Sequence, residues 1–267
     1  MYMQFALITD IHYWPQASYR WKLRKITNNA KTLVDQFIAE MSTVVHPEFV
    51  IVWWDMIEES NEETDIGHLT YIKEQFGKLS CPVYYVTGNH DLIHLSQQQV
   101  QEVLELDQLY YSFETEEYHG IILFSQDHGK GNIISIPEQQ LERLKEELKK
   151  ADKKCLVFVH HGLADQDVSN NLRFEWIPHR CLIDNRESVR DILEQSWKVV
   201  AVFNSHLHRD KMHIHNNIPY YTIQSLTENE NDWGIASETH AIVTINSDHF
   251  SQVEIKRNYP KVFSFPE

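Results

Sequence analysis

The chain has 267 residues, a formal net charge of −15, 42% apolar and 24% charged residues. That is ordinary globular composition for one large domain over 1–267, big enough to bury a core without staples, and it argues against disorder. The acidic balance repels nucleic-acid backbones and disfavours a nuclease, and three scattered cysteines make neither a disulfide framework nor a zinc ribbon.

In chain order, Gln4 to Thr9 reads as a buried strand that starts close to Met1, with no signal-peptide pattern before it. No apolar stretch is long enough to span a bilayer, so the expectation is a cytoplasmic protein without membrane partners. Trp21 to Met41 carries Leu23, Ile26, Ala30, Leu33, Val34, Phe37 and Ile38 on a helical period. Phe49 to Trp53 is a second buried strand, Leu69 to Leu79 a helix, and Val83 to Val86 a third strand. Gln98 to Leu106 is helical, and Tyr110 to Glu114 and Gly120 to Gln126 read as paired strands. Pro137 opens a helix whose Leu141, Leu144 and Leu148 mark the buried face. Leu156 to Val159 and Val199 to Phe203 are further buried strands, with a helix over Glu187 to Leu193 between them. Tyr220 to Gln224, Ala241 to Ile245 and Gln252 to Ile255 make a strand-rich tail. Alternating helices and continuous apolar strands imply parallel pairing with covered faces. The long polar stretch within 164–184 is a candidate lid or a plain surface excursion.

The chemistry sits where these strands end. The first ends in Asp10-Ile-His12, the second in Asp55, and the third runs into Gly88-Asn-His-Asp91. Later strands end in His160-His161 and in Asn204-Ser-His206-Leu-His208. Ligands of open α/β sheets collect beyond the carboxyl ends of strands, so these residues are expected to converge. Each motif alone has an ordinary explanation, as a turn or a chance pair among sixteen histidines. In this order, each after a buried strand, they point to a metal site. Carboxylate with imidazole suits first-row divalent metals.

The order Asp-x-His, strand-Asp, Gly-Asn-His-Asp, His-His, His-x-His resembles the calcineurin-like metallophosphoesterase superfamily, over most of the chain. The resemblance implies an α/β fold: a four-layer α/β/β/α sandwich of two mixed sheets. It also implies two divalent or trivalent metal ions, with Mn, Fe or Zn as candidates, and a small phosphorylated substrate. Carried over by position, Asp10, His12 and His208 hold one metal. Asn89, His160 and His206 hold the other, and Asp55 bridges them. His90 lies beside the phosphate as charge stabiliser or general acid, and Asp91 orients His90. His161 is left without a role, because the family's ligand matches the first histidine of such pairs.

Two departures stand out. Trp53-Trp54 precede Asp55, and Ser205 precedes His206, where the family commonly has glycine. Asp55-Met-Ile-Glu-Glu-Ser60 also lacks the arginine of Ser/Thr protein phosphatases, which disfavours that branch. Cys181-Leu-Ile-Asp-Asn185 ahead of a helix is similar to the branch of cyclic-nucleotide phosphodiesterases and manganese-dependent ADP-ribose/CDP-alcohol pyrophosphatases. The expected activity is hydrolysis of a small phosphodiester or pyrophosphate by metal-activated water, with a phosphomonoesterase and a non-catalytic binding member as alternatives. Tyr13, Trp14, Phe174 and Trp176 are candidates to stack on a base or to pack a loop, and Arg173 and Arg180 to meet phosphate or solvent.

Overall fold

The computed structural model describes residues 2–15, 25–53, 55–129, 133–169, 171, 174, 177–229, 234–257 and 260–266. In chain order the elements begin with β1 (Tyr2–Thr9), α1 (Ala30–Glu40), β2 (Val50–Trp53), α2 (Glu62–Phe76), β3 (Val83–Val86) and α3 (Gln97–Leu104). Then come β4 (Tyr111–Glu114), β5 (Tyr118–Leu123), β6 (Gln126–Asp127), β7 (Ile134–Ser135), α4 (Glu138–Lys150) and β8 (Lys154–Val159). The rest are α5 (Arg186–Gln195), β9 (Val199–Asn204), β10 (Lys211–His215), β11 (Ile218–Thr222), β12 (His240–Asn246), β13 (Ser251–Lys256) and β14 (Lys261–Phe265). The chain forms two compact units, residues 1–108 with 223–267, and residues 109–222.

The first unit holds a six-stranded mixed sheet in the order β14-β13-β12-β1-β2-β3. β1, β2 and β3 are parallel neighbours, with Thr9 beside Trp53 and Trp53 beside Val86, so their carboxyl ends share one edge. β12 to β14 extend the sheet antiparallel from β1. Its core includes Phe5 stacked on Phe49 at 4.6 Å and Phe37 edge-on to Phe76. Trp53 is fully buried in β2, so this indole is a core residue, while Trp54 lies outside the described residues.

The second unit holds a six-stranded mixed sheet in the order β10-β11-β9-β8-β5-β4. β5, β8, β9 and β11 run parallel, which again gathers strand ends at one edge. Phe158, Phe203 and Tyr221 stack across its centre at 5.4 and 5.2 Å. Gly120 of β5 lies opposite Phe113 of β4, and a Cβ there would meet the Phe113 ring at 2.2 Å.

The expected elements form, with shifted ends. α2 starts at Glu62, ahead of the predicted Leu69, because Asn61 caps it by accepting from Thr64 N, and Glu62, Glu63 and Asp65 favour its positive end. The long helix predicted from Trp21 is helical from Thr27, as a single 3-10 turn followed by α1, and Trp21 to Arg24 lie outside the described residues. β10 and β14 were not foreseen as strands of those bounds. The three cysteines are free; Cys155 and Cys181 are buried, whereas Cys81 is only half-buried. No helix among the described residues is long and apolar enough to cross a membrane.

One ion cluster in the second unit gives a pH test. His119 of β5 donates Nδ1–H to Glu114 Oε1 of β4 at 2.5 Å and Nε2–H to Glu147 Oε1 of α4 at 2.9 Å. Lys153 and Arg143 flank the two carboxylates. The hydrogen bond to Glu147 leads in raising the His119 pKa, against the effect of burial. A raised histidine pKa stabilises the fold below the unfolded value of about 6.5, and that contribution is lost as pH rises through the folded value. His119→Gln is therefore expected to lower the urea midpoint more at about pH 6 than at about pH 9. An equal loss at both would show that the imidazolium does not clamp β4, β5 and α4.

Candidate metal centre

The residues that follow β1 and β2 leave their strands in unusual backbone. Asp10, His12 and Asp55 have φ of 47°, 46° and 44°. The left-handed region is costly for residues other than glycine and persists where surroundings impose it. Here the two chain segments hold each other: Asp10 N donates to Trp53 O, His12 N to Asp55 O at 2.7 Å, and Tyr13 N to Met56 O. The Asp10 carbonyl also accepts from Ser225 Oγ at 2.8 Å, and Leu226 N donates to Thr9 O.

A ligand atom from each of Asp10, His12 and Asp55 lies within 4.8 Å of the others, and all three residues are buried. His12 Nε2 is 3.8 Å from Asp55 Oδ2, while its Nδ1 lies 2.9 Å from Glu58 Oε2. Nδ1 is thus turned to the Glu58–Lys25 pair, 3.3 Å from Lys25 Nζ, and Nε2 to Asp55, the side a cation would take. Lys25 Nζ donates to Glu58 beside this nitrogen. Burial first, then the charges of Asp10 and Asp91, pushes the Asp55 pKa well above the ordinary carboxylate range. Such mutual repulsion is the condition that a bound cation relieves. The donor set of two carboxylates and an imidazole fits a divalent first-row metal.

Asn89 and His90 follow β3 on a single 3-10 turn, and His90 N donates to Asp55 Oδ1 at 2.9 Å. His90 packs edge-on against His12 with ring centroids 4.8 Å apart. Its Nδ1 bonds Glu59 Oε2, and Glu58 lies 3.7 Å away. Burial opposes ionisation of Glu59, but the hydrogen bond and charge of His90 outweigh it and hold that carboxyl at about 2. Asp91 does not orient His90. Its Oδ1 accepts from Ile57 N at 3.2 Å and its Oδ2 from Gly88 N at 2.9 Å, so it ties the segment after β2 to the end of β3. The carboxylate bonded to His90 is that of Glu59. Burial raises the Asp91 pKa to about 6 despite these amides.

In the second unit, His160 and His161 follow β8, while His206 and His208 follow β9 with φ of 63° and 47°. His160, His161 and His206 are buried and bring one ring nitrogen each within 4.8 Å of one another. His206 Nε2 lies 2.8 Å from the Arg180 carbonyl, and its Nδ1 faces His160 Nε2 at 3.0 Å. His208 is 8% exposed.

Four described residues of the 164–184 stretch, Val168, Asn171, Phe174 and Cys181, meet this loop. Val168, Phe174 and Cys181 cluster with Leu207, Phe174 lies 4.8 Å from the His206 ring, and Asn171 Nδ2 donates to Leu207 O. Phe174 is thus a packing residue. So is Tyr13, stacked on Tyr71 at 4.8 Å and buried. Trp14 is half-buried, and Arg173 and Trp176 lie outside the described residues. Arg180 lies 3.9 Å from Asp127. Asn185 bonds both backbone groups of Ile136, which explains its place ahead of α5. Glu58, Glu59 and Lys25 were missed by sequence reasoning. The signal available was two adjacent acids just after a strand-end aspartate.

Residues 3–210 match the calcineurin-like phosphoesterase family. The chain belongs to that family. It is a metal-dependent phosphoesterase with the family's dinuclear metal requirement. No curated protein matches. Among solved structures, a dimetal phosphatase from Danio rerio is 15% identical, with a TM-score of 0.78 and 98% of both chains covered. A purple acid phosphatase from yellow lupin is 12% identical at a TM-score of 0.66, covering 99% of this chain and 53% of that one. GAP50, the anchor in the inner membrane complex of Plasmodium, is 11% identical at 0.61, covering 100% and 90%. At these identities the likeness establishes the fold.

Asp91→Ala is expected to leave buried amides of residues 57 and 88 unpaired, at roughly 1–3 kcal/mol each. Urea unfolding of the metal-free protein should show this loss, and an unchanged midpoint would remove Asp91 as the tie between the two segments.

Proposed function

We propose that the phosphoesterase hydrolyses a small phosphodiester or pyrophosphate, of nucleotide type, at a centre built from the strand-end residues. Asp10, His12 and His208 hold one cation, Asn89, His160 and His206 hold the other, and Asp55 is shared. The observation that carries this reading is the convergence of buried ligand atoms within each unit, those of Asp10, His12 and Asp55 within 4.8 Å of one another and those of His160, His161 and His206 likewise.

Bound metal ions supply charge neutralisation at the phosphoryl oxygens and make a water nucleophile available near neutral pH. The chain's own groups do the rest. Asp55 and Glu58 fix the direction of His12. Glu59 accepts from His90 Nδ1–H, which leaves Nε2 as the atom able to meet the phosphate or protonate the leaving oxygen. Burial, then Lys25, lowers the His90 pKa, and Glu59 and Glu58 counter this. No covalent enzyme intermediate is required.

The diester preference rests on the Cys181–Asn185 segment, and the missing arginine after Asp55 disfavours a Ser/Thr protein phosphatase. A scaffold without turnover is the second reading, motivated by Trp53-Trp54. The burial of Trp53 away from solvent weighs against it.

Metal-free protein should cleave bis-p-nitrophenyl phosphate only after Mn²⁺ is restored, and faster than p-nitrophenyl phosphate. His90→Ala should lower that turnover by about 10²–10⁴-fold, the usual worth of a positioned acid, with metal content retained. Monoester cleavage alone would make the protein a phosphomonoesterase. No turnover with two metals bound would favour the scaffold.

A further inference from the structure

His161 has no place in the ligand set above, yet its surroundings are unlike those of a core histidine. The chain bends at His160 and His161, so these adjacent side chains do not alternate across the strand as they would within β8. Their rings meet edge-on with centroids 4.4 Å apart. His161 and His206 are closer, at 4.2 Å, and His160 and His206 lie at 4.6 Å. Three imidazoles therefore crowd one point in the second unit.

Their hydrogen bonds say which nitrogens face that point. A carbonyl only accepts, so His206 Nε2 donates to Arg180 O and Nδ1 keeps its lone pair. That lone pair faces His160 Nε2 at 3.0 Å. His161 Nδ1 is 2.8 Å from the Ser125 hydroxyl. Its Nε2 is buried with no hydrogen-bond partner among the described residues, in a residue 1% exposed. A buried ring nitrogen left this way costs roughly 1–3 kcal/mol, whether it carries a proton or a lone pair. A cation removes that cost. Three converging imidazole nitrogens, each of two rings anchored at its other nitrogen, form the first shell of known zinc sites.

We infer that His161 is a third imidazole ligand, through Nε2, of the cation assigned to His160 and His206, with Ser125 Oγ accepting from His161 Nδ1–H. This rests on the reading of His160 and His206 as ligands. It makes the second-unit ligand set nitrogen-rich, against the carboxylate-rich set of Asp10, His12 and Asp55. The two positions should then differ in metal preference, the nitrogen-rich one favouring Zn²⁺ or Co²⁺ over Mn²⁺.

The test is titration of the metal-free full chain with Co²⁺, following both affinity and the visible absorption of the bound ion. His161→Gln should weaken one equivalent by at least the ~10–100-fold that loss of a mere supporting partner costs, and shift its spectrum. The other equivalent should be unchanged. Ser125→Ala should weaken the same equivalent about 10-fold. It covers the case in which His161→Gln does not fold, judged by circular dichroism without metal. Two equivalents with wild-type affinity and spectrum in folded His161→Gln would overturn the third ligand. So would unaltered binding in Ser125→Ala if that is the only folded variant. Failure of the wild type to bind Co²⁺ would overturn the underlying ligand reading instead.

Discussion

Burial of like charges at the edge of the first sheet governs much of this structure. Asp10, Asp55 and Asp91 are buried near one another, and burial first, with the charge of neighbouring carboxylates behind it, raises the cost of ionising Asp55 and Asp91. Apolar packing cannot resolve that conflict, and only part of it is met by backbone amides. Asp91 takes amide donors and becomes a structural tie. Asp10 and Asp55 are instead held in left-handed backbone beside His12, where a cation can balance them. The parallel order of β1, β2 and β3 places them together, and the contacts from Ser225 and Leu226 keep the first of them in place.

Histidine direction is set by the same logic. Three of these imidazoles have one nitrogen turned to a protein acceptor. The acceptor is Glu58 for His12, Glu59 for His90 and the Arg180 carbonyl for His206. A fixed tautomer lowers the cost of ligation, because no proton has to be moved within the protein first. Trp54 and Ser205 stand where the family commonly has glycine, and the residues that follow them, Asp55 and His206, have positive φ.

Much of the site was legible in the sequence because a buried strand ending in Asp, His or Asn is conspicuous. Val50 to Trp53 and Leu156 to Val159 are uninterrupted apolar runs, and the residues after them break the pattern. The less visible parts lack such a contrast. β10 is an exposed edge strand with two histidines and a lysine in five residues, so alternation is faint. Glu58 and Glu59 look like solvated acids until the fold places His12 and His90 beside them. Asp91 sits next to His90 in sequence, but a 3-10 turn carries its carboxylate to the backbone of residues 57 and 88. Adjacency in sequence suggested a partnership that the turn forbids.

Counting metal is the most direct test of a two-cation centre. Protein equilibrated with Mn²⁺, Fe²⁺ or Zn²⁺, freed of unbound metal and measured by elemental analysis should carry two ions per chain. Asp55→Ala should lose at least one of them. Wild-type protein with no bound ion, or Asp55→Ala with the full complement, would contradict the account.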